Sequence, residues 1–195
     1  GTNCTAMATQ FHNLLLLQGD VLAITEPRLG LAGQREFSVQ FRESGYDVAW
    51  GAPCARKRFG KVRPGGVAVA VRKPLEVRSI APDSPERVRF WEEGRLMHAV
   101  IPTREACLHI TVVYGYVNAA RDKSRRAPNE ELLAAAFAWA AELGNAPCII
   151  AGDLNTTVAA SEVLQRALNA GGYTDFASAQ GREEPTCFQS VGSAG

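Results

Sequence analysis

Residues 148–157, CIIAGDLNTT, place an acid and an amide directly after a short apolar run. Because strand side chains alternate between two faces, Asp153 and Asn155 should point to one side while Leu154 turns back into the core. A carboxylate there can orient and deprotonate a water, and an amide can donate to phosphate oxygens without adding negative charge. The pair therefore indicates phosphodiester hydrolysis. Taken alone, these letters are equally typical of a turn or a helix cap.

A second acid follows another buried strand, in DVLAITEPRLG. Pro27 ends the strand pairing, so the Glu26 carboxylate should emerge at the same edge of the sheet as Asp153. An acid with amides and waters is the oxygen coordination that Mg²⁺ accepts. The competing interpretation is a solvated surface glutamate, which is the commoner case after a strand.

Two further stretches carry polar groups that suit a phosphate site. Asn3, in GTNCTAM, is either a site residue or a helix N-cap, a role that Thr5 could equally fill. In ITVVYGYVNAARDKSRR, Tyr114 and Tyr116 end a strand and Asn118 follows them. Tyrosine can hydrogen-bond a phosphate oxygen and asparagine can support it, although strand-end tyrosines usually pack into the core.

Two basic clusters bear on the substrate, and both should lie in loops. RKRFGKVR, residues 56–63, begins with Arg56, Lys57 and Arg58, and RDKSRR, residues 121–126, begins with Arg121. Such loops bind a phosphate backbone with marked salt dependence. The formal net charge of +1 gives no global attraction to polyanions, so nucleic-acid binding depends on these local clusters. Beside the hydrolase motifs they favour DNA as partner over plain solvated loops.

Alternating helical and strand patterns surround these motifs. Helical spacing occurs in TAMATQFHNLLLLQG, GQREFSVQFRESG, PNEELLAAAFAWAAELG and ASEVLQRALNAGG. Branched apolar runs predict strands in DVLAIT, YDVAWG, GGVAVAVR, LEVRSI, GRLMHAVIP, ACLHITVVYG and PCIIAGDLN. The middle strands, GGVAVAVR to ACLHITVVYG, should be antiparallel neighbours. The pattern predicts an α/β fold with two packed mixed β-sheets flanked by helices.

Chain length and amino-acid composition indicate the number of domains and the cellular compartment. A chain of 195 residues, 46% of them hydrophobic, is sized for one domain with a sizeable core. Its five cysteines are far apart without a Cys-x-x-Cys pair, which argues against a zinc or redox motif and favours an intracellular protein, the nucleus included. No apolar run has the length of a membrane span, so we expect no membrane partner, and nothing indicates a protein partner.

Together the motif stretches resemble the endonuclease/exonuclease/phosphatase superfamily, which has the deoxyribonuclease I-like fold. The order matches: an Asn near the start, a strand ending in Glu, a strand ending in Tyr and followed by Asn, then Gly-Asp-x-Asn. GGVAVAVRKP is similar to the family's Gly-Gly-Val strand. Within the superfamily the sequence is most similar to endonuclease domains of non-LTR retrotransposons.

The resemblance implies a divalent-metal hydrolase in a four-layer α/β/β/α sandwich. Glu26, with Asn3 nearby, would hold Mg²⁺ or Mn²⁺. Asp153 would position or activate the attacking water, Asn155 would contact the phosphate, and Tyr114 would hydrogen-bond it. The alternatives left open are a phosphatase acting on a small phosphoester and a non-catalytic nucleic-acid-binding module of the same fold.

Two departures from the family pattern qualify these expectations. The family usually reads Tyr-x-Pro-Asn, whereas YGYVN lacks the proline and has an extra residue, so Tyr114 and Tyr116 compete for one role. The family's late Ser-x-Ile-Asp-type segment and final Asp-His or Ser-His are missing, and the three histidines, at positions 12, 98 and 109, fall in a helix and two central strands. PTCFQS resembles the strand before that segment, which predicts a chain truncated at both ends, lacking the C-terminal strands and unable to cleave alone.

Overall fold

The computed structural model describes residues 2–3, 7–54 and 65–179. The strands are β1 (Thr2–Asn3), β2 (Val21–Thr25), β3 (Tyr46–Trp50), β4 (Val67–Arg72), β5 (Arg78–Ile80), β6 (Leu96–Pro102), β7 (Cys107–Tyr114) and β8 (Cys148–Asp153). The helices are α1 (Met7–Leu15), α2 (Leu31–Glu43), α3 (Pro85–Glu92), α4 (Lys123–Ala141), α5 (Glu162–Asn169) and α6 (Phe176–Ala179), with a 3-10 turn at Val158–Ala160. The predicted basic loop at 56–63 and the segment PTCFQS lie outside the described residues.

Within the described residues, eight strands form two mixed sheets, in the orders β1-β2-β4-β3 and β5-β6-β7-β8. The pairs β1–β2 and β7–β8 are parallel, and the other neighbours are antiparallel. Consequently β2, β7 and β8 end, and β4 and β6 begin, along one border, which we call the shared edge. There the Gly66 N–H donates to the Gly94 carbonyl at 2.9 Å and ties the two sheets together.

Alternation along each strand builds three apolar layers. On β4, the valines Val67, Val69 and Val71 face the other sheet, while Ala68 and Ala70 face α1 and α2. These small side chains leave room for Phe37 and Phe41 of α2, which are buried against them. On the second sheet, α3, α4 and α5 cover the outer face. The predicted α/β/β/α sandwich is therefore confirmed.

The helices differ from the sequence prediction in two places. The sequence interpretation missed α3, although Ser84 caps it by accepting the Arg87 N–H at 3.3 Å and Pro85 occupies its first turn. Helix α4 begins five residues before the predicted start at Pro128 because the Asp122 carboxylate already accepts the Ser124 N–H at 2.9 Å. The basic residues Lys123, Arg125 and Arg126 consequently lie in the first helical turn instead of a loop.

One strand pairing also differs from expectation. β4 and β5 are not neighbours, because the chain crosses from one sheet to the other between them. The antiparallel prediction holds for β5, β6 and β7, which pair in sequence order. Within the described residues, no helix combines the length and the apolar character that crossing a membrane requires.

Candidate active site

The register of β7 and β8 places Tyr114 opposite Asp153 at the shared edge. The Gly115 N–H donates to the Asp153 carbonyl at 2.7 Å and closes this end of the pair. Gly152 allows the close approach: its φ is +132°, and a Cβ there would lie 2.0 Å from the Val113 carbonyl oxygen. A side chain at this position would therefore force the strands apart just before the two polar residues.

Glu26 emerges from β2 at the same edge, as its position before Pro27 predicts. Its backbone has φ +57°, and its N–H donates to the Gly66 carbonyl at 3.0 Å. The side chain is buried and its Oε1 accepts a hydrogen bond from Arg28 Nη2 at 3.0 Å. Arg28, at φ +53°, is in turn fixed by its N–H donating to the Gly65 carbonyl at 3.1 Å. Arg28 is therefore a functional candidate that the sequence interpretation missed.

Glu26 and Asp153 act electrostatically on Tyr114. Burial, a hydrogen bond with Glu26 and the negative charges of Glu26 and Asp153 raise the pKa of the Tyr114 hydroxyl well above its ordinary value, and Arg95 opposes the shift. The predicted residues Glu26, Tyr114 and Asp153 thus come together from three strand ends, with the two carboxylates near the Tyr114 phenol.

Tyr116 lies apart from this group. Its hydroxyl donates to Glu93 Oε2 at 2.7 Å, and the Arg95 guanidinium lies 3.8 Å from its ring centroid. Burial and Glu93 raise the pKa of Tyr116 to about 12. Of the two competing tyrosines, Tyr114 is therefore the one that meets Glu26 and Asp153.

Asn155 braces the end of β8 instead of projecting freely from it. Its N–H donates to Asp153 Oδ1 at 3.2 Å, and its Nδ2 donates to the Gly115 carbonyl at 3.2 Å. The backbone adopts φ +51°, a conformation that asparagine tolerates better than most residues. The predicted neighbour of Asp153 therefore orients that carboxylate and links it to the end of β7.

Asn129 is a second residue that the sequence interpretation missed. It is fully buried on α4, where its Oδ1 accepts the Tyr116 N–H at 2.8 Å and its Nδ2 donates to the Leu154 carbonyl at 3.1 Å. One amide thereby satisfies a donor and an acceptor from the two loops that leave β7 and β8. An uncharged polar residue at the start of an otherwise apolar helical stripe was the available signal.

The remaining predicted residues lie farther along the edge or outside the described part. The backbone of Asn3 pairs with Thr25, one residue before Glu26. Asn118 is exposed at φ +65°, and its carbonyl accepts the Arg121 N–H at 2.9 Å, so it shapes the turn after β7. Arg121 is exposed. Arg56, Lys57 and Arg58 lie outside the described residues.

The carboxylates at the shared edge are oxygen ligands, which favour a hard divalent cation. In the described ranges, no three or more His, Cys, Asp or Glu side chains group as a metal site. Glu26 and Asp153 supply two carboxylates at the shared edge, and Mg²⁺ and similar cations take one or two carboxylates while keeping several waters. The residues present therefore fit a magnesium or manganese ion.

The strand histidines lie on the outer face of the second sheet, beneath α4. His98 is buried, with its Nδ1 2.8 Å from Thr111 Oγ1, its Nε2 3.0 Å from His109 Nδ1, and its ring stacked on Trp139. Burial and the nearby charges of His109 and Arg87 lower the pKa of His98 to about 4. His98 is thus an interior residue whose two ring nitrogens both have hydrogen-bond partners.

The sequence of the chain matches the model of a known protein family. The family model for the Endonuclease/Exonuclease/phosphatase family matches residues 4–192. No curated protein sequence matches the chain.

Solved structures share the fold at low sequence identity. A 3'-5' exonuclease (NExo) from Neisseria meningitidis is 18% identical with a TM-score of 0.55, over 77% of this chain and 55% of that one. The human Nocturnin catalytic domain with bound sulfate anion is 15% identical with a TM-score of 0.56, over 91% and 68%. An AP endonuclease from Archaeoglobus fulgidus is 17% identical with a TM-score of 0.53, over 86% and 68%.

The chain thus spans about half the length of the Neisseria exonuclease, and likeness at these identities concerns the fold alone. Kinship with retrotransposon endonucleases and truncation of the chain stay predictions. The match over residues 4–192, on a sandwich whose strand ends bring Glu26, Tyr114 and Asp153 together, makes this chain a member of the endonuclease/exonuclease/phosphatase family.

Proposed function

We propose that this chain is a divalent-metal-dependent phosphodiester hydrolase that cleaves DNA as an endonuclease. The observation that carries the proposal is the meeting of Glu26, Tyr114 and Asp153 at the shared edge. Each follows or ends a different strand, so the two sheets together fix their relative positions. The family fold supports the reaction class, and the choice of DNA rests on the basic residues.

Asp153 is the residue that we assign to the attacking water. Its carboxylate is oriented by the Asn155 N–H at Oδ1 and carried on a strand end held by Gly115. A carboxylate fixed in this way can align a water and accept its proton. Because catalysis of this kind depends on geometry, the bracing by Asn155 matters as much as the charge itself.

Glu26, with Asn3 beside the same strand end, would hold Mg²⁺ or Mn²⁺. When bound, such an ion supplies positive charge that stabilises the phosphate in the transition state. Glu26 is suited to that task because it is buried and its backbone is fixed by Gly66. The chain's own residues keep the carboxylate in place before any ion arrives.

Tyr114 and Asn155 are the donors that we assign to the phosphate. Tyrosine is protonated at neutral pH and the raised pKa of Tyr114 reinforces this, so its hydroxyl has one proton to donate. That proton is shared with Glu26 in this structure and would turn to the phosphate when substrate binds. Asn155 Nδ2 donates one hydrogen bond to the Gly115 carbonyl, and its second proton is available for the phosphate. Two neutral donors stabilise a phosphate without adding repulsive charge.

Exposed cations beyond β7 support DNA as the substrate. Arg121, Lys123, Arg125 and Arg126 lie exposed at the turn and the first turn of α4, with Asn118 beside them. The sequence adds Arg56, Lys57 and Arg58 as further candidates for phosphate contact. A polyanion spanning both clusters would bind with affinity that falls steeply as salt rises. A small phosphoester would need neither cluster.

A paired substrate assay tests the proposal. Supercoiled plasmid and soluble small phosphoesters, an inositol phosphate included, are offered with Mg²⁺, with Mn²⁺ and with EDTA. The assay uses the 195-residue chain and the longest chain encoded by the same open reading frame. We expect metal-dependent nicking from the longer chain, since the 195-residue chain is predicted to be unable to cleave alone, and the variants below are compared in that longer chain. Phosphate release without nicking would replace DNA by a small phosphoester, and folded chains that bind DNA without any turnover would indicate a binding module.

A further inference from the structure

Arg28 forms the ion pair with the carboxylate that we assign to the metal. Its Nη2 lies 3.0 Å from Glu26 Oε1, and the Glu26 side chain is only 9% exposed against 36% for Arg28. A buried carboxylate without a countercharge is strongly disfavoured. Arg28 therefore neutralises the Glu26 carboxylate in this structure.

The backbone holds both residues in unusual conformations to make this pair. Glu26 and Arg28 have φ of +57° and +53°, where side chains other than glycine are uncommon. Hydrogen bonds from their N–H groups to the Gly66 and Gly65 carbonyls hold them there. Such conformations persist where the surroundings enforce them, and they concentrate at functional sites.

The pair leaves one donor of the guanidinium unsatisfied. In the part of the chain that the structure describes, Arg28 Nε is buried and has no hydrogen-bond partner. Burying a donor without an acceptor costs free energy, so the conformation that neutralises Glu26 is not the best one for Arg28 itself. A guanidinium reaching outward instead could offer its planar fork to a phosphate.

We propose that Arg28 changes partner during binding: it pairs with Glu26 in the metal-free protein and turns to the substrate phosphate once a divalent cation occupies Glu26. The inference rests on the proposed function. A cation at Glu26 takes over neutralisation of the carboxylate and repels the adjacent guanidinium. The displaced Arg28 then finds, in the phosphate, acceptors for the donors that Glu26 left unused.

The partner change predicts opposite effects on metal and on substrate. Arg28→Gln removes the competitor for Glu26, so Mn²⁺ should bind the substrate-free variant several-fold more tightly in a calorimetric titration. The same variant loses the phosphate contact, so its KM for plasmid nicking should rise at least tenfold. A merely structural role would weaken both.

Arg104→Gln is the matched control, because Arg104 is exposed in the β6–β7 hairpin at the opposite edge. It should leave both quantities unchanged. Arg28→Lys covers the case in which Arg28→Gln does not fold: it keeps the charge, so Mn²⁺ affinity should stay near the wild-type value while KM still rises.

The outcomes separate this inference from the proposed function. If the wild-type chain nicks DNA and Arg28→Gln binds Mn²⁺ no more tightly than wild type, the partner change is wrong and the nuclease stands. Wild-type Mn²⁺ affinity in Arg28→Lys with an unchanged KM would also overturn it. A wild-type chain that binds no Mn²⁺ would overturn both.

Discussion

Tyr114 and Asp153 are opposite one another at the ends of two parallel strands. Paired residues of neighbouring strands project to the same face, so this register puts the phenol beside the carboxylate. A slip of one residue would send one of them to the other face of the sheet. The packing of β7 against β8 and the geometry of the candidate site therefore depend on the same contacts.

Gly152→Ala should break that packing. A Cβ at position 152 would lie 2.0 Å from the Val113 carbonyl oxygen, and the backbone φ of +132° disfavours any side chain. We expect a loss of more than about 4 kcal/mol in the free energy of unfolding, measured by urea denaturation, or failure to fold.

Gly172→Ala is the control for this change, since a Cβ there meets nothing within 4 Å. It should shift the free energy of unfolding by no more than about 0.5 kcal/mol. Equal effects of the two substitutions would contradict the account of the β7–β8 contact.

Two tyrosine-to-phenylalanine variants separate the roles of neighbouring hydroxyls. Tyr114→Phe removes the hydroxyl that meets Glu26, and we expect the rate of metal-dependent nicking to fall on the order of 10²-fold. Tyr116→Phe removes a hydroxyl committed to Glu93, so the rate should stay within about twofold of wild type. A larger loss in Tyr116→Phe would transfer the role to that residue.

His98 should make stability depend on pH between about 6.5 and 4. Its folded pKa of about 4 lies below the ordinary histidine value, so the unfolded chain binds the proton first as pH falls. The stabilisation is present in full above pH 6.5 and is lost progressively down to pH 4, by roughly 3 kcal/mol in total.

Denaturation curves across this pH range check the sign and the origin of the effect. His98→Gln should flatten the dependence relative to wild type, even with carboxylates titrating in both proteins. His12→Gln, at an exposed position of α1, should keep the wild-type slope. An unchanged slope in His98→Gln would show that other groups dominate.

The layered fold and the three strand-end residues could be predicted from the sequence because each depends on a local pattern. Alternating and helical apolar spacing predicted the layers of sheets and helices, and the Gly-Asp-x-Asn motif predicted where β8 ends. Arg28 and Asn129 could not be found in this way. Their partners come from other elements, as when Asn129 joins Tyr116 to Leu154, and sequence spacing carries no record of such contacts.

The start of α4 was misplaced for a related reason. Pro128 is a strong local signal for a helix start, but the Asp122 cap and its hydrogen bond to Ser124 begin the helix earlier. The choice between Tyr114 and Tyr116 likewise required the structure, since their partners Glu26 and Glu93 belong to different segments of the chain.

Metal-dependent nicking of supercoiled plasmid by Asp153→Asn, with Glu105→Gln as the control, tests the central claim most directly. Asparagine keeps the size of the side chain but cannot accept the proton of the attacking water, so the rate should fall on the order of 10²- to 10⁴-fold with the fold intact by circular dichroism. Glu105, exposed in the β6–β7 hairpin, should be replaceable without loss. Wild-type nicking by Asp153→Asn would contradict the assignment of this edge as the catalytic site.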